Sequence, residues 1–351
     1  MAPVPSRHAH LTRSLLAVML GCLAFATAPQ AQPRAGAATP AVEASDAVSA
    51  DKVFGAIVRV TAQAVPDARS TETLGAQREG TGVVIGSDGL ILTIGYLIVE
   101  ADSVSVVDSR GRTLAARVVA YDHATGFGLL RTLVALEAKP VSLGSSARIA
   151  EREPVMIASA GSDSVSFAYV VSKRPFSGNW EYALDQALYT SPPIPNWSGA
   201  GLFDRNGNLL GVGSLIVREA SDDDAHLPGN MFVPIDLLKP ILADLVKSGK
   251  RPGAARPWLG INADEVQGRL FVARVSPEGP ADRAGIKPGD LIVGVGPNGV
   301  RTQPEFYRRV WGFGPAGTDI PLRVLQEGVD VREVKVHSID RTEYFRAPPV
   351  H

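Results

Sequence analysis

The sequence predicts a mainly β protein, and three observations predict it. Two successive sets of short β-branched runs fill the region from Ile57 to Pro234, with Gly and Asp turns between them. One stretch of helical spacing, Ile235 to Val246, ends in the breaker run Lys247-Ser248-Gly249-Lys250-Arg251-Pro252-Gly253. A last region, beginning near Trp258, again offers short strands, with one helical segment entered through Pro304. The 351 residues are enough for about two or three domains. With 45% hydrophobic and 20% charged residues, the chain can fill ordinary globular cores.

The first element is not fold. Arg7 and Arg13 precede the apolar run Leu15 to Ala26, and small residues follow, the layout of a secretory signal peptide over 1–31. Ala24-Phe25-Ala26 and the region to Ala31 offer cleavage sites. The run is shorter than the ~20 residues a membrane span needs, and no second one follows, so no span is expected. Leu20-Gly21-Cys22 faintly resembles a lipobox, which leaves a lipid anchor as the alternative. Cys22 is the only cysteine, so no intramolecular disulfide can form. Residues 32–48, rich in Ala and Pro and without periodicity, read as a flexible leader.

From Val53 the character is β. The first set is 57–61, 82–85, 90–93, 103–107 and 116–120; the second is 154–158, 166–171, 209–212 and 231–234. Such spacing suits barrels or sandwiches, and the pattern alone does not choose between them. The net charge of −1, without a run of Lys or Arg, gives no electrostatic case for nucleic acid. His226 sits in the acidic run Ser221-Asp222-Asp223-Asp224-Ala225, with no second ligand at useful spacing, so no metal and no cofactor is expected.

The motifs add chemistry. Pro195-Asn196-Trp197-Ser198-Gly199-Ala200-Gly201-Leu202 resembles the nucleophile loop of trypsin-like serine proteases, and most nearly the P-G-N-S-G-G-P-L of the HtrA family. Ile91-Leu92-Thr93-Ile94-Gly95-Tyr96-Leu97-Ile98 is similar to that family's I-L-T-N-N-H-V-V, with Tyr96 at the histidine position. Asp122-His123-Ala124-Thr125-Gly126-Phe127-Gly128-Leu129-Leu130 is similar to D-P-R-T-D-L-A-L-L, with Gly126 at the aspartate position. The resemblance implies a trypsin-like double β-barrel over 49–248 with a cleft between the barrels.

It also implies a degenerate site. A serine hydroxyl needs a base to take its proton, and a carboxylate to orient that base. Tyr96, a phenol of ordinary pKa near 10, is a poor base at neutral pH, and Gly126 has nothing with which to orient one. Asn196 replaces the glycine that the family places at the oxyanion site, and Trp197 adds an indole beside it. His123, near the absent aspartate, offers a substitute base that its loop position does not favour.

After a linker, 249–256, the segment 257–342 resembles a PDZ domain, a β fold with two helices. Trp258-Leu259-Gly260-Ile261 looks like the carboxylate-binding loop. Ser276-Pro277-Glu278-Gly279-Pro280-Ala281-Asp282-Arg283-Ala284-Gly285-Ile286 and Gly289-Asp290-Leu291-Ile292 are similar to the signature S-P-x-x-P-A-x-x-A-G-(hydrophobic)-x-x-G-D-x-I. The resemblance implies that an extended peptide adds as a strand and that loop amides hold its C-terminal carboxylate. Phe306 and Val310, at i and i+4, would line the groove or belong to the core. Residues 343–351 form a tail.

Three functions stay open. One is a periplasmic or secreted pseudoprotease that binds peptides or unfolded C-termini through its PDZ domain, as a scaffold, a holdase or the regulatory subunit of an active relative. The second is an active endopeptidase with an unrecognised base, and the third a structural envelope protein. The resemblance implies a homo-oligomer, a trimer in this family, in which Val53 to Val60 would serve the contact or the barrel.

Overall fold

The computed structural model describes residues 53–161, 165–326 and 330–346. The expected signal peptide and leader, with Cys22, lie outside the described residues, as does the end of the tail.

The first set of runs closes into a barrel. Its strands are β1 (Ile57–Ala64), β2 (Gln77–Val84), β3 (Leu90–Ile94), β4 (Ala101–Val107), β5 (Thr113–Tyr121) and β6 (Phe127–Thr132), in the antiparallel order β1-β2-β3-β6-β5-β4. A short helix, α1 (Thr71–Leu74), lies between β1 and β2. Strand β1 shows why this segment folds so: Val58, Val60, Ala62 and Ala64 are buried while Arg59 and Gln63 face solvent, the two-residue period of a half-buried strand. All of 57–60 is therefore barrel wall, and only Phe54, of the apolar residues just before it, is notably exposed.

The second set forms another closed barrel from β7 (Pro154–Ala158), β8 (Val165–Gly178), β9 (Tyr182–Ser191), β10 (Gly201–Phe203), β11 (Leu209–Val217) and β12 (Gly229–Pro234), ordered β10-β11-β12-β9-β8-β7. Strand β3 is buried along its whole length because it touches β11 of this second barrel as well as its own core. One apolar cluster runs from the first barrel into the second, and a separate cluster around Val170, Leu188 and Phe232 lies within the second barrel.

The helix expected over 235–246 is broken. A 3-10 turn, Ile235–Leu237, is followed only at α2 (Leu242–Ser248) by regular helix. Pro240 lies in the gap; it has no amide hydrogen, and its ring excludes the preceding turn's helical geometry. The helix stops where expected, at Gly249, whose φ of 73° lets its amide bond Leu245 O at 2.9 Å.

The third domain is a sheet of β13 (Ile261–Val266), β14 (Arg269–Val275), β15 (Leu291–Val295), β16 (Asn298–Gly299), β17 (Asp319–Gln326) and β18 (Asp330–His337), in the order β13-β14-β15-β17-β18 with β16 on β15. Helix α3 (Pro280–Arg283) precedes β15, and α4 (Gln303–Gly312) crosses between β16 and β17. Helix α4 starts at Thr302, whose hydroxyl accepts the Glu305 amide at 3.4 Å, with Pro304 in the first turn. A last turn, α5 (Arg341–Tyr344), carries the chain back toward the first barrel, where the Arg346 amide reaches Glu100 Oε1 at 2.8 Å.

Candidate active site and peptide groove

The cleft between the barrels is assembled by Thr81 on β2. Its amide donates to Ser198 O at 2.8 Å, its carbonyl accepts the Thr93 hydroxyl at 2.7 Å, and its hydroxyl accepts the Ala160 amide at 2.9 Å. The loop between β9 and β10 is thus pinned to the first barrel. Gly199 makes this approach feasible: its φ is 75°, and a β-carbon there would lie 2.0 Å from Thr81 O.

Ser198 and Tyr96 meet in that cleft. The Tyr96 hydroxyl lies 2.8 Å from Ser198 Oγ and 2.9 Å from Ser214 O. A carbonyl oxygen can only accept, and a phenol has one proton. The arrangement that satisfies all three groups sends that proton to Ser214 O and turns the Ser198 hydroxyl toward the phenol oxygen. Burial then pushes the Tyr96 phenol up to about 12, against the contrary effect of its bonds to Ser198 and the adjacent Trp197. Trp197 is half-buried and shares with Tyr96 and Ser198 the wall of a cavity of about 500 Å³.

The other sequence-derived positions are placed as follows. Gly126 has φ 85°, and a β-carbon there would stand 3.1 Å from the Tyr182 hydroxyl. That hydroxyl donates to Thr125 O at 2.6 Å, so the phenol of β9 fills the space beside Gly126. Asn196 is exposed, and its backbone stays outside the left-handed region, so its tolerance of unusual angles is not used. His123 does not reach Ser198's cavity. It packs on Tyr121 at 3.9 Å and Phe345 at 5.4 Å between ring centres and lines a separate cavity with Glu181 and Arg256. Burial, then the charge of Arg341, lowers its pKa well below the usual imidazole value, so it stands there neutral. His226 lies on an exposed loop, its amide bonded to Asp224 Oδ1 at 2.9 Å.

In the third domain, Gly260 has φ 81°, which turns three successive amides toward one point. The Leu259, Gly260 and Ile261 amides converge on the carboxylate of Glu181, at 3.0, 2.6 and 2.8 Å. Trp258 stands apart from this convergence: its amide bonds Ile339 O at 3.0 Å and its ring packs on Tyr344. Phe306 and Val310 are buried in the domain core, whereas the groove side of α4 is supplied by Gln303 and Tyr307. Sequence reasoning missed Glu181, Tyr182 and Tyr307. The first two sit in 178–185, a segment without recognisable motif, and Tyr307 is one residue from the position singled out.

Comparison with known proteins agrees with this fold. Residues 80–212 match the trypsin-like peptidase domain family, and residues 257–337 match the PDZ domain family. The chain is 28% identical over 315 residues to serine protease PepD of Mycobacterium tuberculosis, spanning 83% of this chain and 66% of that protein. It is 29% identical over 269 residues to a probable periplasmic serine endoprotease DegP-like of Pseudomonas putida, spanning 72% and 54%. The chain therefore spans about half to two thirds of the length of these curated relatives. Among solved structures, the HtrA-type protease AlgW with decapeptide shares the fold with a TM-score of 0.53 at 19% identity, over 87% of this chain and 99% of that one. The serine endoprotease from Yersinia pestis does so with a TM-score of 0.51 at 22% identity, over 85% and 99%.

Fold and site together define a trypsin-like peptidase domain followed by a PDZ domain. In that order of domains the chain is similar to the HtrA/DegP-type serine proteases.

Proposed function

We propose that this chain is a catalytically degenerate HtrA-like protein of the bacterial envelope. It keeps the protease cleft and the PDZ domain but does not hydrolyse peptide bonds, and acts in protein quality control as a polypeptide-binding scaffold or a regulatory subunit. The observation that carries this reading is the hydrogen bond between Tyr96 and Ser198. For Ser198 to attack a carbonyl, the group beside it must accept its proton. A neutral phenol does so only weakly, and with its pKa near 12 the phenolate fraction at neutral pH is roughly one in 10⁵. The same bond holds Ser198's hydroxyl in a resting role. Gly126 offers no carboxylate, and Tyr182 fills the neighbouring space.

Secretion follows from the amino-terminal pattern and accords with the periplasmic names of the relatives. Self-association into a trimer is part of the same reading and is checked by light scattering on the mature protein. The decisive experiment is fluorophosphonate labelling of the mature chain, with Ser198→Ala as control and unfolded casein present. Absence of both labelling and cleavage in folded protein is expected. Labelling of Ser198 with cleavage of casein overturns the proposal in favour of an active endopeptidase.

A further inference from the structure

The PDZ groove already holds a ligand, and that ligand is part of this chain. The segment Gly178-Asn179-Trp180-Glu181, the last residue of β8 and the turn to β9, enters the groove between β13 and α4. Asn179 O accepts the Ala263 amide of β13 at 3.1 Å, the bond an added strand would make. Asn179 Nδ2 donates to Asp264 Oδ1 at 3.2 Å. From α4, the Tyr307 hydroxyl donates to Gly178 O at 2.8 Å and accepts the Glu181 amide at 3.2 Å. Arg341 Nη1 donates to Trp180 O at 3.2 Å.

The side chain of Glu181 completes the set. Its carboxylate, in a residue only 7% exposed, accepts the three amides of the loop that would otherwise take a peptide's C-terminal carboxylate. The backbone testifies independently. Glu181 has φ 57°, a left-handed conformation that a glutamate adopts only at a cost, and here it delivers the carboxylate to the loop. Carboxylate capture is therefore met from within, and one backbone bond of an added strand is made as well.

We infer that the turn 178–181 is an internal ligand of the PDZ groove, with Glu181 standing in for a peptide's terminal carboxylate, so that an incoming C-terminal peptide binds only by displacing it. The inference rests on reading 257–342 as a peptide-binding PDZ domain. A tethered ligand is present at high effective concentration, and a free peptide sees only the fraction of molecules whose groove is open. Displacement also frees a turn whose Trp180 lines the cavity that holds Ser198 and Tyr96, so groove occupancy and cleft shape are joined.

The test uses the full mature chain as wild type, Glu181→Ala and Glu181→Gln. Hydrogen exchange is read at the amides of Leu259, Gly260 and Ile261, with Ile292 and Val324 as fold controls. In Glu181→Ala the three loop amides are expected to exchange at least about tenfold faster while the controls keep their rates. Glu181→Gln, which retains an acceptor oxygen and nearly the same shape, serves if the alanine variant does not fold, with a smaller acceleration expected. Unchanged loop exchange in a folded variant overturns the inference.

A second arm titrates a fluorescein-labelled nonapeptide ending in Ala-Leu-Val with a free carboxylate, and its C-terminal amide. The free-carboxylate peptide is expected to bind Glu181→Ala about tenfold or more tighter than wild type. Equal binding to both overturns the inference. Faster loop exchange with no peptide binding to either protein upholds the internal ligand and removes the peptide-receptor reading instead.

Discussion

The hydroxyl of Tyr182 lies 3.1 Å from the point where a β-carbon on Gly126 would stand. The position that the family resemblance assigns to an orienting carboxylate is thus closed by an aromatic ring, and its backbone is left-handed as well. Placing histidine and aspartate at positions 96 and 126 is therefore not expected to create a working triad. The double variant Tyr96→His, Gly126→Asp is expected to leave casein uncut in an overnight digest. Gly126→Asp alone is expected to cost about 1–2 kcal/mol from its positive φ, read by urea denaturation. Cleavage by the double variant would show that Tyr182 yields.

Tyr96 and Ser198 contribute unequally to stability. Ser198→Ala leaves the phenol bonded to Ser214 O and is expected to cost about 1 kcal/mol or less. Tyr96→Phe strands both Ser198 Oγ and Ser214 O and is expected to cost about 1–3 kcal/mol. Equal effects in urea denaturation would contradict the assignment of protons in this triplet.

Gly199→Ala tests the pin between the barrels. A β-carbon 2.0 Å from Thr81 O forces the loop away from β2, and φ 75° adds strain. The expected loss is about 3–5 kcal/mol, at the upper end for a single substitution, measured by thermal or urea unfolding.

These outcomes bear on what was legible beforehand. The strands with β-branched alternation could be read, and so could the PDZ signature, because Gly and Pro at fixed offsets are demanded by the turns themselves. Strand β9 escaped because both its faces are partly buried and its residues do not alternate. The helix over 235–246 was overread because apolar spacing conceals what Pro240 does to the backbone. At the site, Ser198, Tyr96 and Gly126 could be located by pattern, and the structure brings the first two together. Nothing local distinguishes Glu181 from any surface glutamate, since its role exists only when residues about 80 positions later fold around it.

The groove is expected to respond to pH. Burial raises the Glu181 carboxyl to about 7, against the pull of the Ile261 and Leu259 amides, Arg341 and the Gly260 amide. Once undocked, it returns toward the ordinary value of 4.5. The docked form holds its proton more tightly, so this contribution to docking is full below about 4.5 and lost as pH rises through about 7. Of the facing groups, the Tyr307 phenol is pushed far above that window by burial. Opening of the 259–261 amides, corrected for intrinsic exchange, is expected to rise between about pH 5 and pH 8 in wild type and to stay level in Glu181→Gln. A level wild-type profile would contradict this.

Glu100 has the opposite sign. Burial alone would raise it, but the Ser70 hydroxyl and the Arg346, Ser70 and Arg69 amides together hold it below the ordinary carboxylate value. Its contribution is present above about 4.5 and is lost as pH falls through the lowered value. Glu100→Gln is expected to cost about 1–3 kcal/mol and to speed protease clipping after Tyr344, read by mass spectrometry. Unaltered clipping would separate the carboxylate from the retention of that segment.

The bond from the Arg346 amide to Glu100 has a mechanical consequence. The PDZ domain departs from the barrels through one strand of polypeptide and is then caught again at its far end. An appendage is thereby held as an insertion would be, tied at its exit as well as at its entry and through the docked turn. It cannot swivel freely about its linker, and any force that swings it outward must first tear the carboxyl-terminal moorings from the first barrel.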